Sequence, residues 1–245
     1  MADPPGSGTL PSLLSTTFRR SLGLGRRYLV LGLAYSVLLT LSLGVSFEKA
    51  PSGAASFVST VPILLPIFAV MGSMGGMVAF SNDRVKGVFE YLIAYGVSPR
   101  RLFANSLIAS LGVMSIQVGV SVALALGLSI ALWHRVLADL VGLLALYSVP
   151  MSFASTALAC MVGMYWTVIS SPREGMSSPI GLIPFVGIAP SGLTLVAVEA
   201  VGGQYGAEGT LIVLGVALAT ILGLALFLLS QVGRLLRTDR LLSPL

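Results

Sequence analysis

A serine nucleophile needs a base to take its proton, and this chain contains one imidazole, His134, set between Trp133 and Arg135. No serine stands in a G-x-S-x-G setting, so the elements of serine hydrolysis are missing. One cysteine, Cys160, lies inside an apolar run. A single thiol excludes a disulfide framework and cannot build a thiolate metal cluster, and core packing suits it. Met71, Met74 and Met77 fill gaps between helices without calling for a metal. The remaining chemistry is concentrated charge. Ser81 to Phe103, SNDRVKGVFEYLIAYGVSPRRLF, carries two acidic and four basic residues between two long apolar runs.

Around that segment the chain is nearly uncharged. Of 245 residues, 9% are charged and 56% hydrophobic, against roughly 25% charged in a soluble domain, and mean hydropathy is +0.96. This is the composition of an all-α integral membrane protein. A spanning helix needs about 20 mostly apolar residues. Uncharged stretches of that length run from Tyr28 to Phe47, Ala50 to Asn82, Leu102 to Trp133, Leu140 to Pro172, Gly175 to Val198 and Gly209 to Gly233. They predict six transmembrane helices, at about 28–47, 57–81, 99–133, 138–169, 177–198 and 209–233. Pro51, Ser52 and Gly53 break the chain before the second, and Gly202, Gly203 and Gly206 before the sixth. A transmembrane domain over 28–233 is thus flanked by an N-terminal segment, 1–27, and a tail, 234–245.

Orientation follows from Lys and Arg, because short loops rich in them stay cytoplasmic. Arg19, Arg20, Arg26 and Arg27 precede the first span; Arg84, Lys86, Arg100 and Arg101 separate the second from the third; Arg173 follows the fourth, and Arg234, Arg237 and Arg240 the sixth. Lys49 and Arg135 are left for the other side, with Glu48, Asp139, Glu199 and Glu208. Both termini are therefore expected in the cytoplasm, with the chain multi-pass in the cell membrane. The net charge of +5 reports this orientation; arginines scattered over four separate segments do not form a nucleic-acid surface. The start, MADPPGSGTLPSLLSTTF, lacks the basic and apolar regions of a cleavable signal peptide.

Ahead of the first span, Leu10, Leu13, Leu14, Phe18 and Leu22 recur at helical steps with four arginines on the remaining positions. This pattern predicts an amphipathic helix lying in the lipid interface, although Gly23 and Gly25 weaken its second half. The alternative is a basic flank that merely orients the first span.

The loop between spans two and three is more ordered than a chain reversal requires. On a wheel with Val85 at zero, Val88, Phe89, Leu92, Ile93 and Tyr95 share one arc, and Asp83, Lys86, Gly87, Glu90 and Ala94 gather opposite. A short amphipathic helix at about 82–95 is predicted. Ser81 or Asn82 caps it, Lys86 and Glu90 are spaced for an i to i+4 pair, and a left-handed Gly96 ends it. Ser98 then caps the next helix, with Pro99 in its first turn. From the residues alone, the loop helix either docks a cytoplasmic partner or stiffens the interface.

Lys86-Gly87-Val88-Phe89-Glu90-Tyr91-Leu92-Ile93, followed by Val97-Ser98-Pro99-Arg100-Arg101, resembles the signature between the second and third spans of type 2 ABC exporter permeases. Val88 and Phe89 replace the family's usual Thr and Leu, and Gly96 its Pro. The six-span layout extends the resemblance over the chain. What it implies is the membrane subunit of an ATP-driven exporter, itself no enzyme. The segment 82–95 would be the coupling helix, with Asp83, Arg84, Lys86, Gly87 and Glu90 docking a separate ABC ATPase subunit, and a second permease copy, identical or not, would complete the transporter. No G-x-x-x-x-G-K-[ST] occurs and no soluble stretch is long enough for a nucleotide-binding domain. ATP and Mg are accordingly assigned to the partner, and no cofactor to this chain. The family's re-entrant hairpin between spans five and six is loosely matched by Pro184, Pro190, Ser191 and Gly192.

In such permeases the substrate route lies between two membrane subunits, which makes Gln117, Tyr147, Ser148 and Ser152 candidates for its lining. Their structural alternatives are an amide paired across helices and hydroxyls bonded to their own helix. Ser155 and Thr156 add to the polarity of span four, where Pro150 predicts a kink. Gly72 and Gly76, and Ser115, Gly119, Ala123 and Gly127, have the spacing of close helix contacts, expected within the subunit rather than at a dimer seam. Two other classes stay open. An ion-coupled transporter normally carries mid-membrane charge, and here every ionisable carboxylate and cation falls near a span end or in a loop; a non-transporting scaffold needs no path.

Overall fold

The computed structural model describes residues 10–50, 52–169 and 183–235, and among these the regular structure is helical throughout. The order is α1 (Leu10–Glu48), α2 (Gly53–Val85), α3 (Val88–Ala94), α4 (Pro99–Trp133), α5 (Ala138–Leu143), a π-helical turn (Leu144–Ser148), α6 (Val149–Ile169) and α7 (Ile183–Leu235). Among the described residues, five stretches are long and apolar enough to cross a membrane: Leu13–Glu48, Gly53–Val85, Pro99–Trp133, Ala138–Val168 and Glu208–Val232. A sixth apolar stretch, Phe185–Val201, is shorter.

The first helix differs from expectation. Instead of an interfacial helix over 10–27 and a separate span, α1 runs unbroken from Leu10 to Glu48. Gly25 does not break it, because the missing side chain is used: a Cβ there would stand 2.5 Å from the Cα of Gly75 on α2. Close backbone packing offsets the poor helix propensity of glycine. Ser21, Ser36 and Thr40 are buried on the same helix, while Leu31, Tyr35, Leu38 and Val45 are exposed. Polar groups inside and apolar groups outside suit a helix surrounded by lipid.

Helix α7 is written by its hydrogen bonds as one element, yet it cannot be straight. A Cβ on Gly187 would meet Val70 and Ala159, and the Leu228 carbonyl accepts from the Tyr165 hydroxyl at 2.7 Å. At 1.5 Å rise per residue Gly187 and Leu228 would be about 60 Å apart, whereas Ala159 and Tyr165 on α6 are about 9 Å apart. Leu195 and Val198 pack on the same cluster as Leu214 and Ile221. The chain therefore doubles back between Val198 and Leu214, giving two arms against α6. The predicted start of span five at 177, Arg173, and the tail beyond 235 lie outside the described residues.

Three apolar clusters hold the bundle. One gathers Val70, Met74, Met77 and Phe80 of α2 with Phe89 of α3, Phe103 of α4, Met164 and Tyr165 of α6 and Val232 of α7. A second, at the opposite end, joins Phe57, Val61, Met114, Val118, Leu140 and Leu144. The third sets Tyr147, Met151 and Leu158 against both arms of α7. Cys160 is fully buried, as a packing residue would be.

Candidate functional site

At the basic end of the bundle, α2 reaches further than the sequence suggests. Asp83 and Arg84 belong to its last turn, Lys86 is its C-cap, and Gly87 follows at φ 70°. Gly87 N–H donates to the Arg84 carbonyl at 3.0 Å, so the left-handed glycine closes α2 and starts α3. The predicted helix at 82–95 is thus two pieces. Val85 belongs to the phase of α2 and is exposed, and Tyr95 falls past the end of α3 and is exposed too. Among the described residues no ion pair joins Lys86 to Glu90, because Gly87 interrupts the helical spacing between them.

Other parts of the loop follow its sequence closely. Gly96 lies at φ 85°, its N–H donating to the Ile93 carbonyl at 2.9 Å and that of Val97 to the Leu92 carbonyl at 3.0 Å. These are the two bonds of a Schellman motif. Ser98 Oγ accepts from the Arg101 N–H at 3.4 Å, and Pro99 opens α4.

Two faces of α3 contrast in what they touch. Phe89 is buried, with Leu92, Ile93 and Val97 packed beside it on the first cluster. Its ring lies 4.7 Å from that of Phe80, Phe80 meets Phe103 edge-on at 6.5 Å, and Phe103 stacks on Tyr165 at 5.5 Å. Through the Tyr165 hydroxyl on the Leu228 carbonyl, this aromatic series joins α3 to α2, α4, α6 and α7. Outward, Lys86, Glu90, Tyr91 and Tyr95 are exposed. The two tyrosine rings are 4.6 Å apart, and the Tyr95 hydroxyl beside it raises the Tyr91 phenol above its ordinary value. This aromatic pair is absent from the docking face that the sequence leads one to expect. The signal was present in the i to i+4 spacing of Tyr91 and Tyr95, but the wheel anchored on Val85 turned Tyr95 inward.

Asp83 is committed elsewhere. Its carboxylate pairs with Arg20 of α1 at 2.7 Å, tying the start of α1 to the end of α2, while Arg84 is half-buried. Of the five residues expected to dock, Lys86 and Glu90 therefore lie on the exposed face with Tyr91 and Tyr95, and Gly87 is its backbone joint.

The candidate path residues separate into two groups. Gln117 is fully buried; its Nε2 donates to the Phe68 carbonyl at 2.6 Å, and a Cβ on Gly32 or Gly72 would collide with its amide. It clamps α1, α2 and α4. Tyr147 and Ser148 sit on the π-helical turn before Pro150, with Tyr147 beside Thr194 of α7. Ser148 Oγ donates to the Pro62 carbonyl at 2.7 Å. That carbonyl has lost its helical partner because Pro66, four residues on, has no N–H. Ser152 donates to the Ser148 carbonyl at 2.7 Å. Ser155, Thr156 and Ser191 are fully buried with hydroxyls that have no partner among the described residues. Since Gly187 meets Ala159, antiparallel packing brings Ser191, one turn on, about level with Ser155.

The glycine contacts also divide. Gly76 packs against Ser110 as expected, whereas nothing lies within 4 Å of a Cβ on Gly119 or Gly127. The stripe Ser115, Gly119, Ala123 and Gly127 faces out of the subunit. Intramolecular contact, expected from the spacing, is not made because α4 turns Val113, Gln117, Ser121 and Ala125 inward instead. His134 ends α4 at φ 53°, with Ser129 bonded to the Arg135 carbonyl and the Leu137 N–H. No group of three or more His, Cys, Asp or Glu able to hold a metal occurs among the described residues.

Comparison with known proteins gives one positive result. No curated protein and no solved structure matches the chain. A family model described as ABC-2 family transporter protein matches residues 39–203, a stretch that begins inside α1, ends inside α7 and includes the whole α2–α3–α4 loop. With more than half of its length matched, the chain belongs to the ABC-2 transporter family, as a multi-pass membrane subunit of permease type.

Proposed function

We propose that the chain is the permease of an ATP-driven exporter, a dimer of six-span protomers served by two separate ATPase subunits in the cell membrane. The basic end faces the cytoplasm, where the rule for Lys and Arg would put it, and the two arms of α7 are the fifth and sixth spans, which sets both termini on that side. Helix α3 is the coupling helix. The observation that carries this reading is its division into a face anchored on the bundle by Phe89 and an exposed face bearing Lys86, Glu90, Tyr91 and Tyr95. Large aromatic anchors ringed by charge are the composition of a protein-binding hot spot. ATP and Mg belong to the partner, whose closure pushes α3 and, through the Phe80, Phe103 and Tyr165 rings, the basic ends of α4, α6 and α7.

The buried hydroxyls of Ser155, Thr156 and Ser191, which have no partner among the described residues, with Tyr147 and the bonded Ser152 beside them, are the part of the bundle best suited to a substrate route. Buried polar groups without partners are rare in a resting core and gain partners when water or cargo enters. Glu90→Arg tests the docking reading: the ATPase subunit recovered with the tagged permease, and its substrate-stimulated hydrolysis, should fall about ten-fold, on the scale of losing one buried charged contact, with membrane insertion intact. Unchanged recovery and turnover would remove α3 as the docking element.

A further inference from the structure

Between the basic ends of α4 and α7 lies a crevice of about 530 Å³, lined by Arg100, Ala104, Leu107, Ile108, Leu229 and Val232. We infer that it holds an anionic phospholipid of the adjoining leaflet, the phosphate at Arg100 and one acyl chain along α4 and α7. This goes beyond the transport reading and does not depend on it; it requires only that the basic end meet an anionic membrane surface. Three observations carry it. The volume is that of a ligand site rather than a packing defect. The lining is graded: Arg100 is exposed at the second residue of α4, and Ile108, two turns deeper on α4, and Leu229 of α7 are apolar side chains 51% and 48% exposed. The floor is fixed, since Phe103 stacks on Tyr165, whose hydroxyl bonds the Leu228 carbonyl. A charged mouth over an apolar slot at the membrane boundary matches one ligand shape, a headgroup with a chain below it.

A soluble anion would use Arg100 alone and leave the apolar length of the slot to lipid of any headgroup, and a second protein copy would leave no preference among lipid headgroups. The test uses the purified full-length chain in mixed micelles containing either phosphatidylglycerol or phosphatidylcholine, with retained lipid counted by native mass spectrometry. The wild type should retain phosphatidylglycerol over phosphatidylcholine by roughly five-fold, the contribution of one surface arginine. Arg100→Gln should bring the two to parity, Arg135→Gln at the opposite end should keep the preference, and Ala104→Trp, filling the slot, should lose both lipids. Equal retention by the wild type, or a preference that survives Arg100→Gln, overturns the inference. So does an Ala104→Trp variant that keeps its lipid while an oligomer dissociates, because the crevice would then belong to a second copy. The wild-type and Arg100→Gln measurements decide the matter even if the tryptophan variant fails to fold.

Discussion

The seam joining α1, α2 and α4 and the seam joining α6 to α7 differ in how their polar groups are held. In the first, backbones touch: Gly25 lies on Gly75, Gly76 on Ser110, and Gly32 and Gly72 enclose the amide of Gln117, whose nitrogen is bonded. Ser36 and Ser121 add a 2.6 Å hydrogen bond between α1 and α4. In the second, Gly187 lies against Val70 and Ala159, and three neighbouring hydroxyls, of Ser155, Thr156 and Ser191, stay unpartnered among the described residues, against the separate Ser21 Oγ and Gln117 Oε1 of the first. Glycine-to-glycine contact permits little sliding, because a shift brings side chains into backbone. Unsatisfied hydroxyls mark a seam that is not at its best in the closed arrangement. In a transporter, the former suits a frame and the latter the part that opens.

The contrast can be broken most forcefully at Gly75. A Cβ there would stand 2.5 Å from both the Gly25 Cα and the Ser21 carbonyl oxygen, and backbone on both sides cannot yield. Gly75→Val should therefore cost about 3 kcal/mol and lower the melting temperature in detergent by on the order of 10 °C; an unchanged melt would show that the frame is not tight. Ser148→Ala removes the donor for the carbonyl freed by Pro66, with an expected cost of about 1–2 kcal/mol, read as a loss of a few degrees in the same melt. Thr156→Val should have the smallest effect on stability, within about 0.5 kcal/mol or in the stabilising direction, since the hydroxyl removed has no bond to lose. Transport by the reconstituted complex should nevertheless fall. If Thr156→Val destabilises as much as Ser148→Ala, the two seams do not differ.

Chemistry confined to a few neighbouring residues was readable from the sequence. Gly96, Ser98 and Pro99 end one helix and begin the next as their local preferences require, and the apolar stretches fall on long helices. What escaped depends on partners distant in the chain. Nothing near Gly25 indicates that Gly75 will meet it, and nothing near Ser148 that a proline in α2 has freed a carbonyl for it. The phase of α3 was misread for a related reason: Gly87 takes a left-handed conformation that resets the helical count, which a wheel drawn through it does not register. The outward-facing small residues on α4 show that spacing alone identifies a face and not its neighbour. For the site, the exposure of Lys86 and Glu90 is legible in the sequence, the pairing of Asp83 with Arg20 is not.

Gly87 and Gly96 have a mechanical consequence. With a left-handed residue at each end, α3 shares no continuous ladder of hydrogen bonds with α2 or α4, so torque applied to it cannot travel along the main chain into either long rod. It behaves as a short bolt, about 10 Å in length, seated by Phe89 and its apolar neighbours. A load on its outer face would leave through Phe89 and the Leu92, Ile93 and Val97 side chains packed beside it, which makes this apolar foot the bearing between α3 and the helices beneath it.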